Sequence, residues 1–292
     1  MKKLLIAFFI SLTCLSASAC DICGLGTSNY NPVLFTQLSK NYLSINYLHR
    51  LYHIQGTDGL NKEYFNTILV SGQYSITNKL QLVAMVPYQV NKQKNAKAIN
   101  DLKGLGDVTL IGNYRLWNHE GISKTHSLVV GAGVKLPTGK YEAVKSAAIE
   151  EQNFQLGTGS IDYLVNGTYR LNVHQWSFSA VGSYKYNTAN KQDYRYGDVL
   201  TAGATALYRK EFKNFSLAPF VQVMNEKQMM DANNHLLREH SGGNALYTGG
   251  GFDLTTSRFG AGVNYQFAAK QNLFQGEIDA RPRLSAYLSI TL

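Results

Sequence analysis

The chain has 292 residues, with 28 basic against 19 acidic side chains and a formal charge of +9. Only 16% of its residues are charged, below the roughly one quarter usual in soluble domains, while glycine (26) and tyrosine (19) are abundant and proline (5) is scarce. The basic residues are scattered and not gathered on one face, which argues against a nucleic-acid partner. No internal run approaches the roughly 20 apolar residues of a membrane helix.

The amino terminus reads as an export signal over residues 1–19. Met1-Lys2-Lys3 is a positive start, Leu4–Leu12 an apolar stretch of signal length, and Ala17-Ser18-Ala19 a small-residue cleavage site. A segment 20–40 follows, opening on Cys20-Asp21-Ile22-Cys23. A local disulfide between Cys20 and Cys23 is the leading expectation in an oxidising compartment. Lipidation of Cys20 comes second, weakened because Ala17 stands where a lipobox usually has leucine. Metal binding comes third, lacking a second pair or nearby histidines. Haem attachment is disfavoured because Gly24 follows Cys23.

From Asn41 to Leu292, twelve stretches alternate apolar with polar residues. The first, Asn41–Arg50, carries Leu43, Ile45 and Tyr47 in one column, and its alternation breaks at Leu48 and His49. In Asp107–Trp117 one column is Val108, Leu110, Gly112, Tyr114 and Leu116, and the other is Asp107, Thr109, Ile111, Asn113 and Arg115. Ser160–Leu171 separates Tyr163 and Val165 from Asp162, Asn166 and Arg170 in the same way. The last stretch sets Leu284, Leu288 and Ile290 against Arg283, Ser285 and Ser289.

The links between these stretches are alternately long and short. Leu51–Glu63, Asn91–Leu105, Pro137–Gly157, Asn187–Tyr196, Asn225–Asn244 and Ala268–Arg281 are long. Ile76–Asn78, Asn118–Thr125, Leu171–Val173, Lys210–Asn214 and Thr255–Thr256 are mostly short. Outer-membrane barrels have this asymmetry, with short periplasmic turns, longer external loops and an even strand number. Tyrosines and tryptophans near strand ends, such as Tyr74, Tyr88, Trp117, Tyr169 and Trp176, fit the aromatic girdles of such a barrel. The expectation is an all-β protein whose residues 41–292 close an antiparallel transmembrane β-barrel of about twelve strands. Both ends of the barrel should lie on the periplasmic side, and the protein should sit in the outer membrane.

Three segments resemble the outer-membrane family named for the meta pathway of phenol degradation. They are Gly104-Leu105-Gly106-Asp107 leading into a strand ending Tyr114-Arg115, then Gly131-Ala132-Gly133-Val134-Lys135-Leu136-Pro137-Thr138-Gly139, and Leu156-Gly157-Thr158-Gly159-Ser160 with Asp162. The resemblance implies a barrel that passes small, often hydrophobic or aromatic, molecules across the outer membrane.

The inward columns predict a lumen lined by Asp107, Asn113, Arg115, Lys135, Asp162, Asn166, Arg170, Arg258 and Arg283. Asp107 and Arg115, like Asp162 and Arg170, are eight residues apart in one column, as an ion-pair lattice or a polar track for solute would have them. Lys92, Lys94, Lys97 and Lys103 gather in one outer link, either as a solvated loop or against anionic lipid head groups.

Catalytic signals are weak. His240-Ser241 before Gly242-Gly243 could belong to a lipid hydrolase, but neighbouring strand residues point to opposite faces, and no third group is placed behind them. Gly139-Lys140 lacks the glycine spacing of a phosphate loop. The expected function is passive passage of a small solute, with membrane lipid and solute as partners and no cofactor, metal or catalysis. A structural or adhesive barrel with a blocked lumen is the alternative.

Overall fold

The computed structural model describes residues 41–56, 59–94, 99–142 and 153–292. Twelve antiparallel strands form one closed ring: β1 Tyr42–Gly56, β2 Gly59–Ser75, β3 Leu80–Lys94, β4 Val108–Glu120, β5 Lys124–Leu136, β6 Asp162–Val173, β7 Trp176–Tyr186, β8 Val199–Tyr208, β9 Ser216–Gln228, β10 Gly243–Thr255, β11 Phe259–Leu273 and β12 Arg283–Thr291. The ring closes where Ile45 of β1 faces Leu288 of β12, and no barrel strand is left with an open edge. Lipid offers no partner for an unpaired backbone, so a spanning sheet has to close in this way.

The side-chain columns explain why this sequence sits in lipid. Along β12, Arg283, Tyr287 and Ser289 are buried while Leu284 and Leu288 are exposed. Along β6, Asp162, Leu164, Thr168 and Arg170 are buried, and Tyr163 and Val165 are more than half exposed. Leu110 on β4 faces out and Asn113 faces in. The outer wall therefore carries apolar side chains with no protein to cover them. One concave stretch of about 860 Å³ between Leu43, Tyr74, Leu82, Leu110 and Tyr163 is shaped by the small residues Gly72, Ala84, Gly112 and Ala132. Rings collect at the margins of this band: Tyr74, Trp117 and Trp176 on the short-turn side, Tyr88 and Tyr186 on the other, all exposed.

All five short connections lie at one rim, and they include 76–79, 121–123, 174–175 and 256–258. Asn41 and Leu292 meet at that rim, where the Leu292 N–H donates to the Asn41 carbonyl at 2.9 Å.

At the opposite rim the first two expected loops are not loops. β1 and β2 stay paired up to Gly56 and Gly59, and β3 runs to Lys94 and pairs with a short strand, Ile99–Leu105. The cause is a change of polarity along the strands. Above the lipid band Tyr52, Ile54 and Phe65 point inward and are at most 3% exposed, while His53, Lys62, Lys92 and Lys94 point outward. Leu48 and His49 mark that change, and the strand continues through it. The β9–β10 link is shorter than expected for the same reason, because β9 continues to Gln228. The signal segment and the Cys20/Cys23 pair lie outside the described residues.

Candidate functional site

The space inside the barrel is the candidate site. Its inner half, toward the short turns, is built mainly of uncharged polar side chains delivered by period-2 alternation. Asn113, Gly131 and Asn166 are in register on β4, β5 and β6. The Asn166 amide reaches Asn113 Oδ1 at 3.4 Å, and a methyl on Gly131 would collide with both asparagines. Ser44 bonds Ser71 at 2.8 Å, and Gln222 donates to Asn264 at 2.9 Å. Asn166 Oδ1, Thr168 Oγ1 and Arg170 Nη2 are buried with no protein partner among the described residues. Polar atoms so placed suit water or a solute.

Higher in the lumen the charges are paired. Lys135 Nζ lies 2.7 Å from Asp107 and 2.5 Å from Asp162, all three nearly buried, and it also reaches the Thr158 hydroxyl. Arg283 holds Glu226 with two 2.8 Å bonds, and its guanidinium lies 3.5 Å from the centre of the Tyr247 ring. Gln93 donates to Glu63 at 2.8 Å. Ions taken out of water need such partners.

The described end of the connection from β5 to β6, residues 153–160, turns inward instead of standing clear of the barrel. Asn153, Gln155, Leu156 and Thr158 are all buried. Gln89 donates to the Leu156 carbonyl at 2.9 Å, and the Thr158 and Gly139 N–H groups donate to Asp107 at 2.9 and 3.0 Å. The Lys135 cluster is thus the anchor of this inserted segment. Phe154 meets Phe65 edge-on at 6.2 Å, and Phe65 meets Tyr52 at 5.8 Å. With Tyr247, Leu273, Phe274 and Ile278 they form an apolar patch on the inner wall near the outer mouth.

The next two outer connections interlock beside it. Asp231 accepts from the Tyr194 hydroxyl and from the Gly197 N–H at 2.8 Å, and Asn190 donates to the Thr158 carbonyl at 3.0 Å. Burial pushes the Asp231 carboxyl up to about 6, against the pull of the Tyr194 and Gly197 hydrogen bonds.

The structure brings Asp107, Lys135 and Asp162 into one cluster and seats Asn113 beside Asn166. Arg170 is buried lower on β6, and Arg283 is committed to Glu226. Asp107 therefore pairs across strands with Lys135, and eight residues of strand separate it from Arg115. Arg258 is a correction: it is exposed in the 256–258 turn, where the strand has ended and column parity no longer fixes a direction. The sequence expectation left out Arg50, Glu63, Lys185, Glu226 and Asp253, all buried. Glu63 and Glu226 were hidden because their segments read as loops, although each continues the inward parity of its strand. Ser241 is tied to the Asp231 N–H and the Arg238 carbonyl, and His240 lies 3.4 Å from Glu277, so the two do not face each other as nucleophile and base.

Comparison with known proteins agrees with this architecture. The family profile described as "Putative MetA-pathway of phenol degradation" matches residues 61–277. No curated protein sequence matches the chain. Among solved structures, the COG4313 outer membrane channel from Pseudomonas putida F1 superposes with a TM-score of 0.62 at 14% identity, covering 87% of this chain and 96% of that one. The β domain of the Bordetella autotransporter BrkA superposes with a TM-score of 0.56 at 9% identity, covering 87% of this chain and all of the other. At these identities the likeness is one of fold. A closed barrel with an uncovered apolar outer band, in a fold shared with outer-membrane barrels, belongs in the outer membrane.

Proposed function

The chain belongs to the MetA-pathway phenol-degradation family, and from that premise we propose that it is an outer-membrane channel through which small hydrophobic or aromatic solutes pass passively. The observation that carries this is the apolar patch of Tyr52, Phe65, Phe154 and Tyr247 near the outer mouth, above a polar lumen. Of these four rings Phe154 is the one left partly exposed, over the buried Tyr52, Phe65 and Tyr247. An aromatic solute could leave bulk water onto it by edge-to-face contact, which contributes about 0.5–1.5 kcal/mol per ring pair beyond area burial. From there it would meet the side-chain amides and hydroxyls of the inner half. The neighbour from Pseudomonas putida is itself an outer membrane channel, which supports passage, and the family's name concerns phenol breakdown, which supports this solute class. The fixed ion pairs hold the inserted segment and the wall, and nothing in the reading requires catalysis.

The inserted β5–β6 connection favours a second reading, a structural barrel whose lumen stays closed. Entry of phenol and toluene into proteoliposomes, measured beside planar-bilayer conductance, separates the two. A channel gives solute entry above that of empty liposomes, reduced by Phe154→Ser. Entry no faster than in empty liposomes, with no conductance, would leave the closed structural barrel.

A further inference from the structure

On the outside of the barrel, just above the lipid band, β2, β3 and the short strand Ile99–Leu105 carry a basic patch that the solute path does not use. Val90, Tyr88 and Leu105 are exposed apolar side chains at the upper margin of the band on this arc, each 40–55% exposed, and Leu60 and Ile99 are exposed again at the strand ends around the lysines. Lys103 stands opposite Val90 at its own level, and one register step higher Lys92 stands opposite Tyr64. The next step sets Lys62 directly opposite Lys94 across β2 and β3, both on the outward column, and His53 of β1 lies opposite Lys62.

Like charges facing each other across a strand pair destabilise it unless something neutralises them. Nearby acids do this only in part. Asp101 lies 3.9 Å from Lys92, and Asp279, opposite His53, is engaged by Arg281 at 3.1 Å. Among the described residues neither Lys62 nor Lys94 has an ion-pair partner. Burial, then the positive charges of Arg281 and Lys62, hold the His53 imidazole below its ordinary value.

We propose that this arc of the outer wall binds the phosphate-bearing head group of a lipid in the leaflet around the long-loop rim. The geometry selects a lipid over a free anion, because the lysines stand at the level where acyl chains end and head groups begin. A lipid held there has its chains against Val90, Tyr88 and Leu105 and its phosphate between Lys62, Lys92, Lys94 and Lys103. Lysine suits the task as a mobile point charge on an apolar stem that can lie along the band. The proposal does not depend on which solute the lumen carries.

The test uses the full chain in neutral detergent, titrated with lipid A carrying two phosphates and, separately, with its dephosphorylated form and with inorganic phosphate. Bound lipid is counted by native mass spectrometry. The expected result is saturable binding of the phosphorylated lipid that weakens with added salt. The variant K62Q/K92Q/K94Q/K103Q should weaken it at least about tenfold, since each near-surface cation contributes on the order of a fivefold gain. The control K79Q/K124Q, which removes two exposed lysines at the short-turn rim, should leave it unchanged. All six side chains are outward and solvent-exposed or partly so; heat-modifiable migration of each variant verifies the closed barrel. Equal binding of the dephosphorylated lipid, inorganic phosphate binding as tightly as the lipid, an unaffected quadruple variant, or an equal loss in the control would each overturn the proposal.

Discussion

Lys135 sits between Asp107 and Asp162 with almost no access to water, so its removal leaves two carboxylates close together and uncompensated. Breaking a buried pair by deleting one partner costs about 3–5 kcal/mol. Lys135→Met is therefore expected to lower stability by about that amount and to release the inserted segment, seen as faster proteolysis near Thr158. The triple variant Asp107→Asn, Lys135→Met, Asp162→Asn should recover much of the loss; if it is no better than Lys135→Met alone, charge is not what holds the cluster. Lys135 was legible as inward from its column, but its partners were not. The Asp107 contact spans 28 residues of sequence and depends on strand register.

Asp231 makes a pH prediction of definite sign. Burial raises its carboxyl to about 6, so the folded loops hold a proton that the unfolded chain releases near pH 4. Its stabilisation of the interlocked outer loops is complete below that lower value and is lost as pH rises through about 6. Amide exchange at Tyr194–Gly197, corrected for the intrinsic pH dependence, should show protection falling between pH 5 and pH 7. Asp231→Asn should flatten the profile, and protection that grows over this range would contradict the assignment.

At the scale of the strand, alternation is a membrane signal only where one side of the wall meets lipid. Val165 is 54% exposed between Ala132 and Tyr184 on the outer face. Val165→Arg should cost about 2–4 kcal/mol near the midplane, less toward the interface, measured by urea unfolding in bilayers. A variant as stable as the parent would mean that the face of β6 is wrongly assigned. The same rule explains which elements were readable. β4, β6 and β12 alternate cleanly between lipid and lumen, and their columns are those found. The upper parts of β1, β2 and β3 meet water outside and the packed apolar cluster inside: Phe65 and Tyr52 turn inward while Lys62 and His53 turn outward. The alternation persists there with its chemistry reversed, and a search for apolar-out columns ends the strand too early.

At the scale of the whole barrel, ion preference follows from the complete inward set and not from the residues on a few strands. The columns legible in the sequence are rich in bases, and on them alone an open pore would prefer anions. Closure adds Arg50 and Lys185 on the basic side and Glu63, Glu226 and Asp253 on the acidic side. Most of these are bound to one another or to neutral partners, as Arg283 is to Glu226 and Glu63 to Gln93. Rings of charge select by sign only when the charge is left over. Toward the short-turn end Arg115 and Arg170 stand against Asp253 among the inward charges named, and the hydrogen bond from Tyr287 leaves the Asp253 charge in place, so the remainder is only weakly positive. Under a salt gradient the reversal potential is therefore expected close to zero, displaced slightly toward anions. Glu226→Gln should shift it further toward anions by freeing the Arg283 charge, while Arg170→Gln should move it toward cations. A strong preference of either sign in the parent protein would mean that the ions follow a path other than this wall.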